Sequence, residues 1–159
     1  MDDHHLQFKP NVTVAAIIHC NGKFLMVEEW QDEQWVYNQP AGHLEPDESI
    51  TDGLIREVKE ETGLIVEPGV LCGIYYFHLP RSNLFYLRFC FIVELEDWLE
   101  TQPMDTDINR ALWMTFDEIL EKSQQLRSPM VLNGIQDYLA GTTYPLSILK
   151  SYINAPLEK

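Results

Sequence analysis

Apolar and polar positions along this chain keep two different rhythms. Val12–His19 is a nearly unbroken β-branched and apolar run ending at Asn21-Gly22, and Lys23–Glu28 follows it, which predicts a hairpin. Trp35–Asn38 predicts a short strand leading into Gln39-Pro40-Ala41-Gly42. The period then lengthens: Ile50, Leu54 and Val58 repeat every four residues, the apolar stripe of a helix. Ser49 with Asp52 reads as a capping box with Asp in the usual Glu position, Gly63 stands at the helix stop, and Pro46-Asp47 is turn chemistry. Val70–His78 and Leu84–Leu95 return to strand character, joined through Leu79–Asn83 with its Pro80. Ala111–Met114 predicts a last short strand, and Thr115 with Glu118 opens a short helix to about Lys122. Ser128 as N-cap and Pro129 at the first helical position start another helix, lined by Met130, Ile135, Tyr138 and Leu139 and stopped by Gly141. The tail beyond Thr142 is apolar enough to dock on the body. Strands, helix, strands, helices in this order predict an α/β fold with a mixed sheet packed between helices.

Length and charge narrow the picture. The 159 residues suit one domain, 1–159, able to bury a real core. A net charge of −14 argues against a nucleic-acid or anionic-membrane surface. There is no run of 18 apolar residues, and the start MDDHHLQFKP lacks the form of a signal peptide. Cys20, Cys72 and Cys90 lie scattered in strand-like stretches without metal-ligand spacing and read as buried free thiols. The expectation is a cytoplasmic protein, monomeric, acting on a small molecule.

The chemistry concentrates in residues 42–64, GHLEPDESITDGLIREVKEETGL. Glu57, Glu60 and Glu61 are spaced by three and four, which brings them to one side of a helix. Like charges so placed repel, and the arrangement makes sense around a hard divalent cation. Mg²⁺ takes oxygen ligands and commonly bridges carboxylates to substrate phosphates. These residues predict a metal-dependent enzyme acting on a phosphate compound.

The segment resembles the box of the Nudix family, G-x5-E-x7-R-E-U-x-E-E-x-G-U with U aliphatic. Gly42, Glu48, Arg56, Glu57, Val58, Glu60, Glu61, Gly63 and Leu64 fill every fixed position. The resemblance implies an α/β/α sandwich and water attack on a diphosphate bridge with Mg²⁺, or Mn²⁺ in its place. It implies that Glu57 and Glu61 are direct metal ligands, that Glu60 is a third acid or base, and that the Ala41 backbone carbonyl is a further ligand. Arg56 resembles the arginine that fixes a neighbouring glutamate, and helical spacing best allows Glu60. Glu48 resembles a supporting acid, either structural or reaching metal through water. The family often uses an acid in the loop before the last strand; here Asp107 is the first choice and Asp105 the second.

Substrate contacts are more open. Arg88 lies between apolar neighbours in Tyr86-Leu87-Arg88-Phe89 and is either a cation facing the acids, suited to phosphate, or an edge-strand arginine facing solvent. Asn38 and Gln39 are candidates to read a base edge, and His43 to touch a terminal phosphate. Trp35, Tyr75, Phe77 and Tyr86 are stacking candidates, though most are expected in the core. Trp35–Glu45 (WVYNQPAGHLE), Leu87–Phe89, Leu126–Pro129 and Tyr144-Pro145 resemble a bacterial phosphatase within the family. That implies hydrolysis of nucleoside tri- and diphosphates and of hydroxymethylpyrimidine diphosphate, a thiamin precursor, with release of orthophosphate. Two alternatives stand beside it. One is a different Nudix specificity, for a dinucleoside polyphosphate, ADP-ribose or an RNA 5′ end. The other is a nucleotide-sensing module without hydrolysis.

Overall fold

The computed structural model describes residues 6–153, so His4, His5 and the last six residues lie outside the described part. Its elements are β1 (Asn11–Cys20), β2 (Lys23–Gln31), β3 (Gln34–Asn38), β4 (Ala41–His43), α1 (Ile50–Thr62), β5 (Val70–Leu79), β6 (Leu84–Glu94), β7 (Ile108–Thr115), α2 (Phe116–Glu121), α3 (Met130–Leu139) and β8 (Tyr144–Pro145). Asn21 and Gly22, at φ of 50° and 84°, make the tight hairpin turn between β1 and β2. The two strands pair only at His19–Phe24 and Cys20–Lys23. Beyond that point they part. β4 takes the place beside β1, antiparallel, and β7 and β3 flank β2. On its other side β1 runs parallel to β6 from Asn11–Tyr86 to His19–Glu94. β5 pairs with β6, and β8 adds to β5. The sheet is mixed, as the element order predicts.

The unbroken apolar run of β1 has a physical reason: both faces of the strand are covered. Val14, Ala16 and Ile18 turn toward α1, where Leu54 and Val58 meet them with Leu71, Phe91 and Val93. Ile17 turns the other way, toward Val131 and Ile135 of α3, with Met26, Cys72, Cys90 and Met114. The result is the α/β/α sandwich. All three cysteines are buried and free.

Several local predictions are refined. Ser49 caps α1 by accepting the Asp52 N–H at 3.1 Å, and Gly63 closes it at φ 79° with its N–H on the Lys59 carbonyl. Thr115 and Glu118 form the reciprocal capping box. Ser128 Oγ accepts the Met130 N–H at 3.2 Å, but Pro129 stands just before the helix and not inside it. The apolar face of α3 is also corrected. Val131, Gly134 and Ile135 are its buried residues, while Leu139 is 54% exposed. Gly134 permits close contact, since a Cβ there would stand 3.3 Å from Ile17 Cδ1. The tail finds its place: Tyr144-Pro145 lies along β5, and Leu146 and Leu149 pack on the α1 side of the core. No helix among the described residues is long and apolar enough to cross a membrane.

Candidate active site

The last two turns of α1 lie against β4. This juxtaposition explains why a glycine opens the segment. A Cβ on Gly42 would overlap the Glu57 carboxylate, so only hydrogen leaves room for it. One residue earlier, the Ala41 N–H donates to Glu61 Oε1 at 2.8 Å. β4 bonds to β1 through Ala16 N–H on Pro40 O and Leu44 N–H on Val12 O. In an antiparallel ladder that alternation turns the N–H and C=O of Ala41 away from β1. The Ala41 carbonyl therefore faces the side where the glutamates lie.

Arg56 organises the acids. Its Nε–Oε1 contact with Glu48 is 2.6 Å, and Nη1 reaches Glu57 at 2.8 Å and Glu60 at 3.0 Å. Nη2 donates to the His43 carbonyl at 2.9 Å, tying α1 to β4. The expected pair with Glu60 forms, and Glu48 and Glu57 join it. Glu48 takes the shortest bond, because the loop before α1 folds back beside Gly53, where a Cβ would press on Glu48 Oε2. These bonds, led by the one to Glu48, raise the arginine's pKa further.

A cavity of about 410 Å³ opens in front of these residues, lined by Glu57, Glu60, Glu61, Ala41, Gly42 and His43. Its far wall is the loop before β7, carrying Asp105 and Asp107. That loop is pinned to α1 because the Met104 and Asp105 N–H groups both donate to the Glu60 carbonyl, at 2.8 and 2.9 Å. The Asp107 N–H in turn donates to Asp105 Oδ1 at 2.9 Å. Burial pushes the Glu61 carboxyl up to about 9, opposed by the Ala41 N–H and reinforced by Glu57, Glu29 and Asp105. Burial also raises Glu57, against the pull of Arg56. Acids crowded in this way fit the chemistry of a divalent cation. Glu57, Glu60, Glu61 and Ala41 all line this cavity. Among the described residues no three His, Cys, Asp or Glu side chains already converge on one point, and Arg56 draws Glu57 and Glu60 toward itself.

Arg88 lines the same cavity, on β6 between β1 and β5. It is neither at a sheet edge nor in solvent, being 5% exposed. Its Nη2 donates to Gln39 Oε1 at 2.6 Å and lies 3.4 Å from Asn38 Oδ1. Asn38 lines the cavity, but Gln39 does not. Gln39 is buried and its Nε2 donates to the Val131 carbonyl, so its amide is consumed by Arg88 and α3. In this structure it holds an arginine. Phe77 and Tyr86 stack on one another at the cavity wall, with ring centroids 5.3 Å apart. Trp35 instead packs on Trp30, and the Tyr75 hydroxyl donates to Asp137 at 2.5 Å.

Among the wall residues that sequence reasoning missed are Glu29 and Arg127, which pair at 3.1 Å. Glu29 follows Glu28 on β2, and nothing in that doublet distinguishes them. The fold does: Glu28 turns to Tyr37, Asn109 and Arg110, while Glu29 turns to the cavity.

The sequence profile of the NUDIX domain matches residues 8–133. Phosphatase NudJ of Escherichia coli K12 is 43% identical over 152 residues, which cover 96% of this chain and 97% of that protein. The same enzyme from Shigella sonnei matches equally. Among solved structures, a NUDIX hydrolase from Nitrosomonas europaea superimposes with a TM-score of 0.86 at 46% identity, covering 92% of this chain and 100% of that one. The NUDIX domain of Shewanella oneidensis NrtR, complexed with ADP ribose, has a TM-score of 0.73 at 15% identity, covering 88% and 93%, and shares the fold. A profile spanning most of the chain, near-full-length relatives and the intact glutamate helix agree: this chain belongs to the NUDIX hydrolase family.

Proposed function

We propose that this NUDIX hydrolase is a Mg²⁺-dependent phosphatase that releases orthophosphate from nucleoside tri- and diphosphates and from hydroxymethylpyrimidine diphosphate. The observation that carries this reading is the 43% identity to phosphatase NudJ across 96% of the chain. The acid cluster facing the cavity supports it. The chain works as one domain, with Glu57, Glu60, Glu61 and the Ala41 carbonyl holding Mg²⁺ and Mn²⁺ as a substitute. When bound, such an ion neutralises phosphate charge and acidifies water. The remaining work belongs to side chains. Arg56 keeps Glu48, Glu57 and the β4 loop in register. Asp107, or Glu60 if it is released from Arg56, accepts the proton of the attacking water. Arg88 and Asn38 bind phosphoryl oxygens, and His43 at the exposed rim contacts the outer phosphate. Phe77 and Tyr86 offer a face to a pyrimidine or purine ring.

Metal removal tests this directly. Chelation with EDTA abolishes orthophosphate release from GDP, and Mg²⁺ restores it. Glu57→Gln lowers kcat/KM by about 100-fold or more with the circular dichroism spectrum unchanged, since it takes charge from the ion and not from the core. Undiminished turnover in EDTA contradicts the reading.

A further inference from the structure

We propose that Arg88 and Arg127 together form a receptor for a non-esterified terminal phosphate, and so determine which phosphoanhydrides this site accepts. The proposal rests on the phosphohydrolase reading of the same cavity and adds the class of group recognised. Three arginines line the cavity. Arg56 is taken up by Glu48, Glu57 and Glu60. Arg88 is different: it is almost fully buried, and its partners are the neutral amide oxygens of Gln39 and Asn38. Among the described residues no carboxylate pairs with it.

A buried guanidinium without an anion is costly, and folding alone does not require it. Gln39 fixes its orientation. With Nε2 committed to the Val131 carbonyl, only Oε1 is left to face the arginine, so the amide cannot turn over.

Arg127 stands beside β3, in the segment before α3. Its N–H donates to the Tyr37 carbonyl at 2.8 Å, next to the Tyr37–Leu126 bridge, and Nη1 pairs with Glu29. Both guanidinium-bearing residues line the one cavity, and burial holds the Arg88 pKa below its ordinary value. Glu29 offsets Arg127 and leaves the pair short of one anion. A terminal phosphate carries up to two charges and three free oxygens and can accept bonds from two guanidinium forks. A phosphodiester-type phosphate carries one charge and two free oxygens and meets the pair less well.

The test is calorimetric titration in Mg²⁺ of the full chain and its Arg127→Met and Arg88→Lys variants. The ligands are inorganic pyrophosphate, which has free terminal phosphates, and ADP-ribose, whose two phosphates are both esterified. GDP turnover is measured on the same preparations. The proposal predicts that Arg127→Met weakens pyrophosphate at least about 10-fold, the scale of one charge-assisted hydrogen bond, and ADP-ribose less than about 3-fold. Arg127→Lys recovers part of the loss. Arg127 is partly exposed, so this variant remains informative if Arg88→Lys fails to fold. Unchanged pyrophosphate affinity in Arg127→Met, or equal losses for both ligands, overturns the receptor while leaving turnover to speak for the phosphatase. A wild type that binds pyrophosphate through Arg127 but turns over no GDP overturns the phosphatase and keeps the receptor.

Discussion

Glu61 concentrates the electrostatic cost of the site in one side chain. In the unfolded chain it ionises near 4.5; in the folded protein its pKa rises to about 9. Between those values the folded state holds a proton that the unfolded state has lost, so metal-free stability falls as pH rises through that window. Glu57 and Glu29 are raised too and add to the same slope. If Glu61 ligates Mg²⁺ as proposed, binding requires the ionised carboxylate and releases its proton, so stabilisation by Mg²⁺ is expected to grow over the same range. Thermal unfolding between pH 5 and pH 9, with and without Mg²⁺, is expected to show both trends, and Glu61→Gln to flatten them. A metal-free Tm that climbs across this window contradicts the account. Gly42 is the second test at this scale. Gly42→Ala places a methyl group where the Glu57 carboxylate sits. The expected result is loss of most kcat/KM with the fold retained, measured by GDP turnover alongside circular dichroism; near-normal turnover would mean that Glu57 is free to sit elsewhere.

At the scale of elements, α1 is legible because its signals are local: an N-cap, a stripe every four residues, acids at three and four, and a glycine stop. The termini can be separated by mutation. Ser49→Ala removes one capping bond and is expected to cost about 1 kcal/mol with kcat unchanged. Gly63→Ala is expected to cost more. It forces φ 79° on a residue with a side chain and brings Cβ to 2.5 Å from the Gln102 carbonyl. Denaturant unfolding of both variants checks the order, and the reverse order would contradict it. Other parts were hidden for a physical reason. Whether Gln39 faces a base or an arginine depends on β6 and α3, which stand 49 and 92 residues away in the chain. The same is true of Glu29 and Arg127, joined across 98 residues. The buried stripe of α3 shifts from Leu139 to Gly134 because close packing on Ile17 selects the smallest residue, and hydropathy alone does not show that.

For the whole molecule, parting β1 from β2 opens the sheet just where β4 is inserted. α1 then lies over the opening with its glutamates at one end, while β6 delivers Arg88 from beneath and the loop before β7 closes the far wall. A cavity lined by both acids and arginines suits a small phosphorylated molecule. The net charge of −14 weighs against phosphate-backbone binding. The most direct test is product analysis with purified protein and Mg²⁺ on GTP, GDP, hydroxymethylpyrimidine diphosphate, ADP-ribose and a dinucleoside tetraphosphate. Orthophosphate is followed with and without added pyrophosphatase. The account predicts orthophosphate from the first three compounds without pyrophosphatase. Product from ADP-ribose or the dinucleotide alone, or orthophosphate that appears only when pyrophosphatase is added, would contradict it.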